Sequence, residues 1–285
     1  MSFPADQCLV QVINLDRDTD RLERLSRRLK EFQLPWSRLR AIDGRTIDPD
    51  DERIVRYPPV TRWHSPLTAG EAACFLSHIA ALERLVAADH EYGLVLEDDA
   101  VPLDGVSEVI AAAIEKDICG ESPPWEVLRL ERTDRRRARA VVGNLPCGRR
   151  LVDYSRQPSG TTAYLINRRG AQLLLAATPP VDRPVDIFLS YPYETGIRSL
   201  GVVPPLFSSG PDASSITAVE ARRSHKKPSA WIRRFLRRRL FSTLRVLHRT
   251  KWNLGHFGLG GLLRIYLAAL VGREAQGPRP AVRQP

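Results

Sequence analysis

Sulfur and aromatic residues are scarce in this chain of 285 residues: one Met, four Cys and an aromatic content of 7%. The cysteines Cys8, Cys74, Cys119 and Cys147 are scattered and form no C-x-x-C pair, which excludes zinc knuckles and thioredoxin-type dithiol chemistry. Cys8 and Cys74 lie in apolar segments and read as plain buried thiols. The first residues lack a basic stretch followed by an apolar core, so no secretory signal is expected and a reducing, cytoplasmic compartment is. No internal repeat is present. A membrane-spanning run is missing too. The most apolar stretch, Trp252 to Val271, contains His256, Arg264 and several glycines. An arginine at mid-bilayer costs roughly 2.5–3.5 kcal/mol even on insertion scales, so this segment is expected to lie in an interface rather than to cross one.

The last part of the chain lacks acids. Residues 221–285 hold 16 Lys+Arg and one Glu, whereas residues 1–220 hold 27 Lys+Arg and 32 Asp+Glu. The net charge of +10 therefore belongs to the tail, and the body is mildly acidic. Ile232, Phe235, Leu236, Leu240, Leu244 and Leu247 fall on one helical face, with arginines on the other. A basic amphipathic helix of this kind suits an anionic membrane surface, and residues 222–272 are expected to form such a tail. A nucleic-acid arm has no need of a leucine stripe, so no nucleic acid is expected as partner. Residues 273–285 are expected to be disordered.

The body reads as one α/β domain over residues 6–215. Cys8–Leu15 is a first buried strand, and a helix follows from about 18 to 33, with Leu22, Leu25, Leu29 and Phe32 as its apolar stripe. Arg17 and Arg21 sit at the strand-to-helix turn, where guanidinium groups and free helix amides could both meet a phosphate, or simply face solvent. Leu39 to Ile42 is a short strand closed by Asp43-Gly44; Asp43 either binds ribose hydroxyls or makes a turn. Residues 45–67 read as a loop over the sheet. Thr68-Ala69-Gly70-Glu71 matches a capping box and opens a long helix. Glu71, Cys74 and His78 share one face of it, and His78 is either a satisfied interior histidine or a ligand contact.

Gly93-Leu94-Val95-Leu96-Glu97-Asp98-Asp99 organises the rest: a short apolar run, read as a buried parallel strand, ends in three carboxylates. Ligands gather at such strand ends in open α/β sheets. Three adjacent acids repel one another, and a hard divalent cation or a helix N-terminus would relieve them. Glu97 and Asp99, two apart on an extended backbone, are expected to point the same way and Asp98 the other, unless the strand has turned. Further on come a helix over about 105–117, a strand Trp125–Leu130 ending in Glu131, an Arg/Gly-rich exposed excursion over 132–150, a small-residue turn at Gly160-Thr161-Thr162 feeding a strand to Asn167, a helix Arg168–Ala177, an isolated acid at Asp186, and a last strand over 197–203.

Taken in order, Val12-Ile13-Asn14-Leu15-Asp16-Arg17, Ala41-Ile42-Asp43-Gly44, Thr68 to His78, Leu94 to Asp99, Gly160 to Ile166 and Pro184-Val185-Asp186 resemble the motifs of glycosyltransferase family 25, the bacterial lipooligosaccharide galactosyltransferases and their relatives. The resemblance spans most of residues 8–206. It departs at Ala73, where the family helix usually has glycine, and the basic tail lies outside the family core. It implies a GT-A-like domain, with a mixed, mostly parallel sheet flanked by helices, that carries out inverting transfer from a UDP-sugar, commonly UDP-galactose, held through Mn²⁺ or Mg²⁺. The acceptor would be a glycan or lipid-linked glycan of the cell surface. Under that resemblance Asp99 is the expected metal ligand, with Glu97 or Asp98 as second ligand or as a ribose or water contact. Asn14, Arg17, Arg21 and Asp43 would line the nucleotide side. Asp186 is the first candidate for general base, ahead of Glu131 and Glu71. His78 would support the site, and Thr161 and Thr162 would either bind donor phosphate or sugar hydroxyls or form a tight packing turn. Two other readings stand beside this one: a metal-dependent nucleotidyl- or phosphotransferase, and a non-enzymatic protein acting through its basic tail.

Overall fold

The computed structural model describes residues 2–48, 50–131, 138–210 and 228–277, over 228–234 as backbone only. The expected tail residues 222–227, the arginine run 135–137 and the chain end from 278 lie outside the described residues. In chain order the elements are β1 (Cys8–Asn14), α1 (Thr19–Glu31), β2 (Ser37–Arg40), α2 (Ala69–Ala87), β3 (Tyr92–Glu97), β4 (Ala100–Pro102), α3 (Val106–Ile118), β5 (Val127–Arg129), β6 (Arg139–Asn144), β7 (Arg150–Tyr154), β8 (Ala163–Asn167), α4 (Arg168–Ala177), α5 (Val185–Leu189), α6 (Pro192–Thr195), β9 (Ser199–Val203), β10 (Phe207–Ser209), α7 (Pro228–Leu270) and β11 (Ala275–Gln276).

Nine strands form one mixed sheet in the order β11-β6-β7-β9-β5-β8-β3-β1-β2. Seven of them run the same way and two, β8 and β7, run against them. Helices cover both faces, each sealed by its own core. Alternation along β3 shows the division. Leu94 and Leu96 pack with Leu25 and Leu29 of α1 and Ile110 of α3, while Val95 packs with Phe75 and Leu82 of α2 and Phe188 of α5. Because β3 pairs in parallel with β1 but antiparallel with β8, the expectation of a strand with parallel neighbours holds on one side only.

Local signals explain most elements. Thr68 and Glu71 form a full capping box at the start of α2. Asn167 caps α4 by accepting from the Gly170 amide. Gly44 lets the chain approach the start of α2, since a Cβ there would lie 2.8 Å from the Ala69 carbonyl oxygen. The second strand is centred slightly earlier than expected, over Ser37–Arg40 rather than 39–42.

Two expectations are corrected. The stretch 132–150 is not one exposed excursion: Arg139–Asn144 and Arg150–Tyr154 pair as a hairpin inside the sheet. Two of the arginines in this stretch are anchored, Arg139 and Arg150 both pairing with Glu274 near the chain end. For the same reason the end is not disordered throughout, because Ala275–Gln276 adds to β6 as an edge strand. α7 itself packs on the body. Phe241 is buried against Trp63 and His64, Arg237 donates to the Pro58 carbonyl, Asn253 donates to the Ser155 carbonyl, and Ile265 joins the main core. Its backbone breaks at Gly258, where φ is 67°.

Candidate active site

The three carboxylates after β3 separate because the strand stops. Alternation carries Glu97 to the α2 face, where Val95 already points. There Glu97 Oε1 accepts from the Thr161 hydroxyl at 2.5 Å and lies 3.4 Å from His78 Nε2. His78 is fully buried, its other ring nitrogen 3.1 Å from the Tyr164 hydroxyl. Asp98 goes to the α1 face. It accepts from Asn14 Nδ2 at 2.8 Å and pairs with Arg21 Nη2 at 2.7 Å. Asp99, however, does not rejoin Glu97: Asp98 and Asp99 form a turn before β4, and Asp99 lies 3.8 Å from the same Arg21 nitrogen. The expectation that Glu97 and Asp99 share one direction is corrected accordingly. It required the extended backbone to continue for two more residues.

The reversed strand β8 completes the site. Running against β3 and β5, it starts where both of them end, so Thr161 and Thr162 reach Glu97 and Glu131 together. The Thr162 amide donates to Glu131 Oε2 at 3.1 Å. Both threonines are buried and hold carboxylates, which favours the packing turn over direct contact with a donor. Gly160 makes this turn possible with φ of +115°, and a Cβ there would meet Glu131 Oε1 at 2.7 Å. Gly160→Ala is therefore expected to lower stability by about 1–3 kcal/mol through backbone strain alone, measured by denaturant unfolding, and to weaken activity in parallel.

Sequence reasoning overlooked Arg129. It is fully buried at the end of β5 and donates to the Gly160 carbonyl at 2.6 Å. Its Nε and Nη2 make no hydrogen bond among the described residues. Burial lowers its pKa, opposed by the charges of Glu131 and Asp186. The signal was present: an arginine inside Val127-Leu128-Arg129-Leu130, since arginine is almost never fully buried without a partner. Asp186, on α5, faces the same charge and accepts from the Ile187 amide at 2.8 Å. It stays partly exposed, whereas Glu131 is buried.

Five carboxylates (Glu97, Asp98, Asp99, Glu131 and Asp186) thus converge on two guanidinium groups, Arg21 and Arg129. Their proton affinities diverge. Burial raises Glu97, but His78 and Thr161 outweigh it and hold the group below its ordinary value. Burial raises Asp98 and Asp186. Asp99 is pushed up to about 6 by burial and then by Glu97, and Glu131 up to about 7 by burial. A carboxyl raised in the folded state binds more protons than in the unfolded chain, so its contribution falls as pH climbs from its unfolded value to its folded one. The Glu131 shift, from 4.5 to about 7, sets a window between those values with an upper bound of about 3 kcal/mol. Relative to Glu131→Gln, the wild-type protein is expected to lose stability across that window, as read from thermal midpoints against pH.

The remaining candidates take other places. Arg17 and Asp43 pair at the rim beside Asn14, and Arg45 also holds Asp43, lowering its pKa. Glu71 is taken up by the capping box, its carboxylate accepting from the Thr68 amide and hydroxyl at 2.9 Å. That gives it a structural role and moves it behind Asp186 and Glu131 as a base.

The oxygen set at the β3 end fits a hard cation. Asp99 Oδ1 is buried without a hydrogen-bond partner among the described residues, and acids outnumber arginines around it. A second group, Cys74, His78 and Glu97, has ligand atoms within 4.8 Å of one another. Its sulfur and imidazole donors are a poor match for Mg²⁺ or Mn²⁺, and burial drives the Cys74 thiol well above its ordinary value.

Residues 9–189 match the family model described as glycosyltransferase family 25 (LPS biosynthesis protein). The chain belongs to glycosyltransferase family 25. Among similar proteins, procollagen galactosyltransferase 1 of Danio rerio is 30% identical over 192 residues, which cover 65% of this chain and 31% of that protein. Procollagen galactosyltransferase 2 of Homo sapiens is 30% identical over 190 residues, covering 64% and 30%. The probable inactive glycosyltransferase 25 family member 3 of Bos taurus is 32% identical over 189 residues, covering 63% and 31%. The alignments thus take in just under a third of the length of these relatives. Every active-site residue discussed above falls within the matched range 9–189. The basic helix α7 falls outside it.

Proposed function

We propose that this family 25 chain is a metal-dependent inverting glycosyltransferase that moves galactose from UDP-galactose onto a hydroxyl of a cell-surface glycan. The observation that carries the metal and donor reading is the buried, unpartnered oxygen of Asp99 among converging carboxylates at the end of β3. Galactose is suggested by the names of the relatives, and a lipopolysaccharide-type acceptor by the family description. Family membership favours sugar transfer over the nucleotidyl or phosphoryl alternative.

Asp99 and Asp98 would hold Mn²⁺ or Mg²⁺, and the ion when bound supplies Lewis-acid stabilisation of the leaving diphosphate. Asn14 and Arg21 fix Asp98 in place. Glu97, ionised and clamped by Thr161 and His78, adds negative charge that keeps the cation site selective. Asp186 takes the proton from the acceptor hydroxyl: unlike Glu131 it is partly exposed, and burial raises it towards the range a general base needs. Glu131 and Arg129 sit behind it as a buried pair that sets its field. The direct test is release of UDP from a panel of UDP-sugars with and without Mn²⁺. Equal turnover of nucleoside triphosphates would overturn the reading.

One observation favours attachment to a membrane surface, which we place on the cytoplasmic side as a further part of the proposal. Leu236, Leu240 and Leu247 of α7 are exposed between arginines, although the helix packs on the body through its opposite face. No helix of the described residues is long and apolar enough to cross a membrane. Binding to phosphatidylglycerol vesicles is expected to fall about tenfold or more when these three leucines become glutamine, measured by co-sedimentation. Unchanged binding would remove this location.

A further inference from the structure

α7 does more than lean on the body. With the segment Tyr154–Gln157 and the turn Ser190–Tyr193 it encloses a narrow cleft of about 20 Å³, and beside it, across Tyr193 and Trp252, lies an open hollow of about 700 Å³ that His256 also lines. That size is in the range of small-ligand sites. The cleft and hollow together are lined by four cations, Arg156, Arg245, Arg249 and Lys251, and by no carboxylate. None of the four has an ion pair among the described residues. The nearest acids are already engaged: Glu194 with Arg62 and Arg183, Asp153 with Arg198 and His256. Arg245 is held instead by rings, 4.9 Å from Tyr191 and 5.3 Å from Phe241. Burial, Arg156 and then Arg245 pull Arg249 below its ordinary pKa, the signature of crowded and uncompensated positive charge. The cleft wall meets the main chain of α5, the helix that carries the proposed base. Ser190, on its wall, donates to the Asp186 carbonyl at 2.5 Å and to the Pro158 carbonyl at 2.9 Å.

We propose that the open hollow and the mouth of the cleft form a subsite for an anionic glycan, with a sugar ring in the hollow against Tyr193 and Trp252 and a phosphate or carboxylate at the cleft mouth, within reach of exposed Arg156 and partly exposed Arg245 and Arg249. Aromatic faces accept the C–H face of a sugar, and guanidinium groups pair with phosphate or carboxylate oxygens through charge-assisted hydrogen bonds. The occupant is the acceptor of the transfer proposed above, so this inference rests on that reading. α7 lies outside the range matched by the family model and Arg156 lies inside it, so the subsite is built jointly by the matched domain and the helix that follows it.

The test uses the full chain and calorimetry with methyl glucoside 6-phosphate, methyl glucoside, inorganic phosphate and UMP as separate probes. The sugar phosphate is expected to bind about tenfold or more tightly than either the neutral glycoside or free phosphate, and to weaken with salt. Arg156→Gln, an exposed position that does not threaten folding, and Trp252→Ala should each weaken it by about tenfold. Equal affinity for the charged and neutral glycosides overturns the proposal. So does inorganic phosphate binding as tightly as the sugar phosphate, displacement of the bound sugar phosphate by UMP, or undiminished binding by Arg156→Gln. None of these probes needs a sugar donor or metal, so the subsite can fail while UDP-galactose turnover stands, and the reverse.

Discussion

Asp99→Asn is expected to lower sugar transfer by about a thousandfold, the equivalent of several kcal/mol of lost transition-state stabilisation, while leaving the fold intact. Asparagine keeps the shape of the side chain but removes the charge. Asp99 sits among Glu97, Asp98 and Arg21, and its pKa of about 6 records how unfavourable its ionisation is without a further cation. Neutralising it should therefore leave the thermal midpoint near pH 7.5 at or above that of wild type. The same substitution should abolish the stabilisation that Mn²⁺ with UDP gives the wild-type protein, since a ligand that binds only the native state raises its stability by mass action. Two measurements decide the matter: UDP release at saturating donor, and thermal shift with Mn²⁺ and UDP. Full activity in the variant would remove Asp99 from the metal site and return the question to Glu97 and Asp98.

Asp186→Asn is expected to reduce kcat by about a hundredfold to ten-thousandfold, the range typical of losing a general base, with the donor KM little changed. The split matters because a group that acts only in the transition state alters turnover, whereas a binding group alters affinity. The acid limb of the wild-type rate profile should follow a carboxylate above its ordinary value, because burial raises Asp186 and the base works only when ionised. Activity is then lost as pH falls through that pKa, and this limb should vanish in the variant. Glu131→Gln separates the two acids. If Glu131 only sets the field around Asp186, its loss should move the acid limb more than it lowers the plateau. A pure affinity loss in Asp186→Asn would make Asp186 a ligand to donor or acceptor, and Glu131 would become the base.

Much of the site could be read before the fold was known. An apolar run that ends in Glu97-Asp98-Asp99, a capping box at Thr68, and a lone acid at Asp186 are local patterns, each with a local physical cause. Arg129 was hidden by its setting in a short strand, where one charge among apolar neighbours looks like an exposed edge. The hairpin of β6 and β7 was hidden for a related reason: an Arg- and Gly-rich stretch reads as exposed until Glu274, more than a hundred residues away, is brought beside Arg139 and Arg150.

The sequence by itself determined the long helices and the strands β1, β3, β5, β8 and β9, where acids accumulate, and that α7 has one apolar and one basic face. These follow from periodicity, capping and composition, which act over a few residues. Tertiary structure alone decided how the carboxylates divide. Chain termination of β3 sends Glu97 to His78 and Asp98 with Asp99 to Arg21, and the reversed insertion of β8 sets Thr161 and Thr162 against Glu97 and Glu131. It also decided that the basic helix packs on the body and closes a cleft beside α5. Strand order and direction depend on pairings between residues far apart in the chain, and no local pattern encodes them.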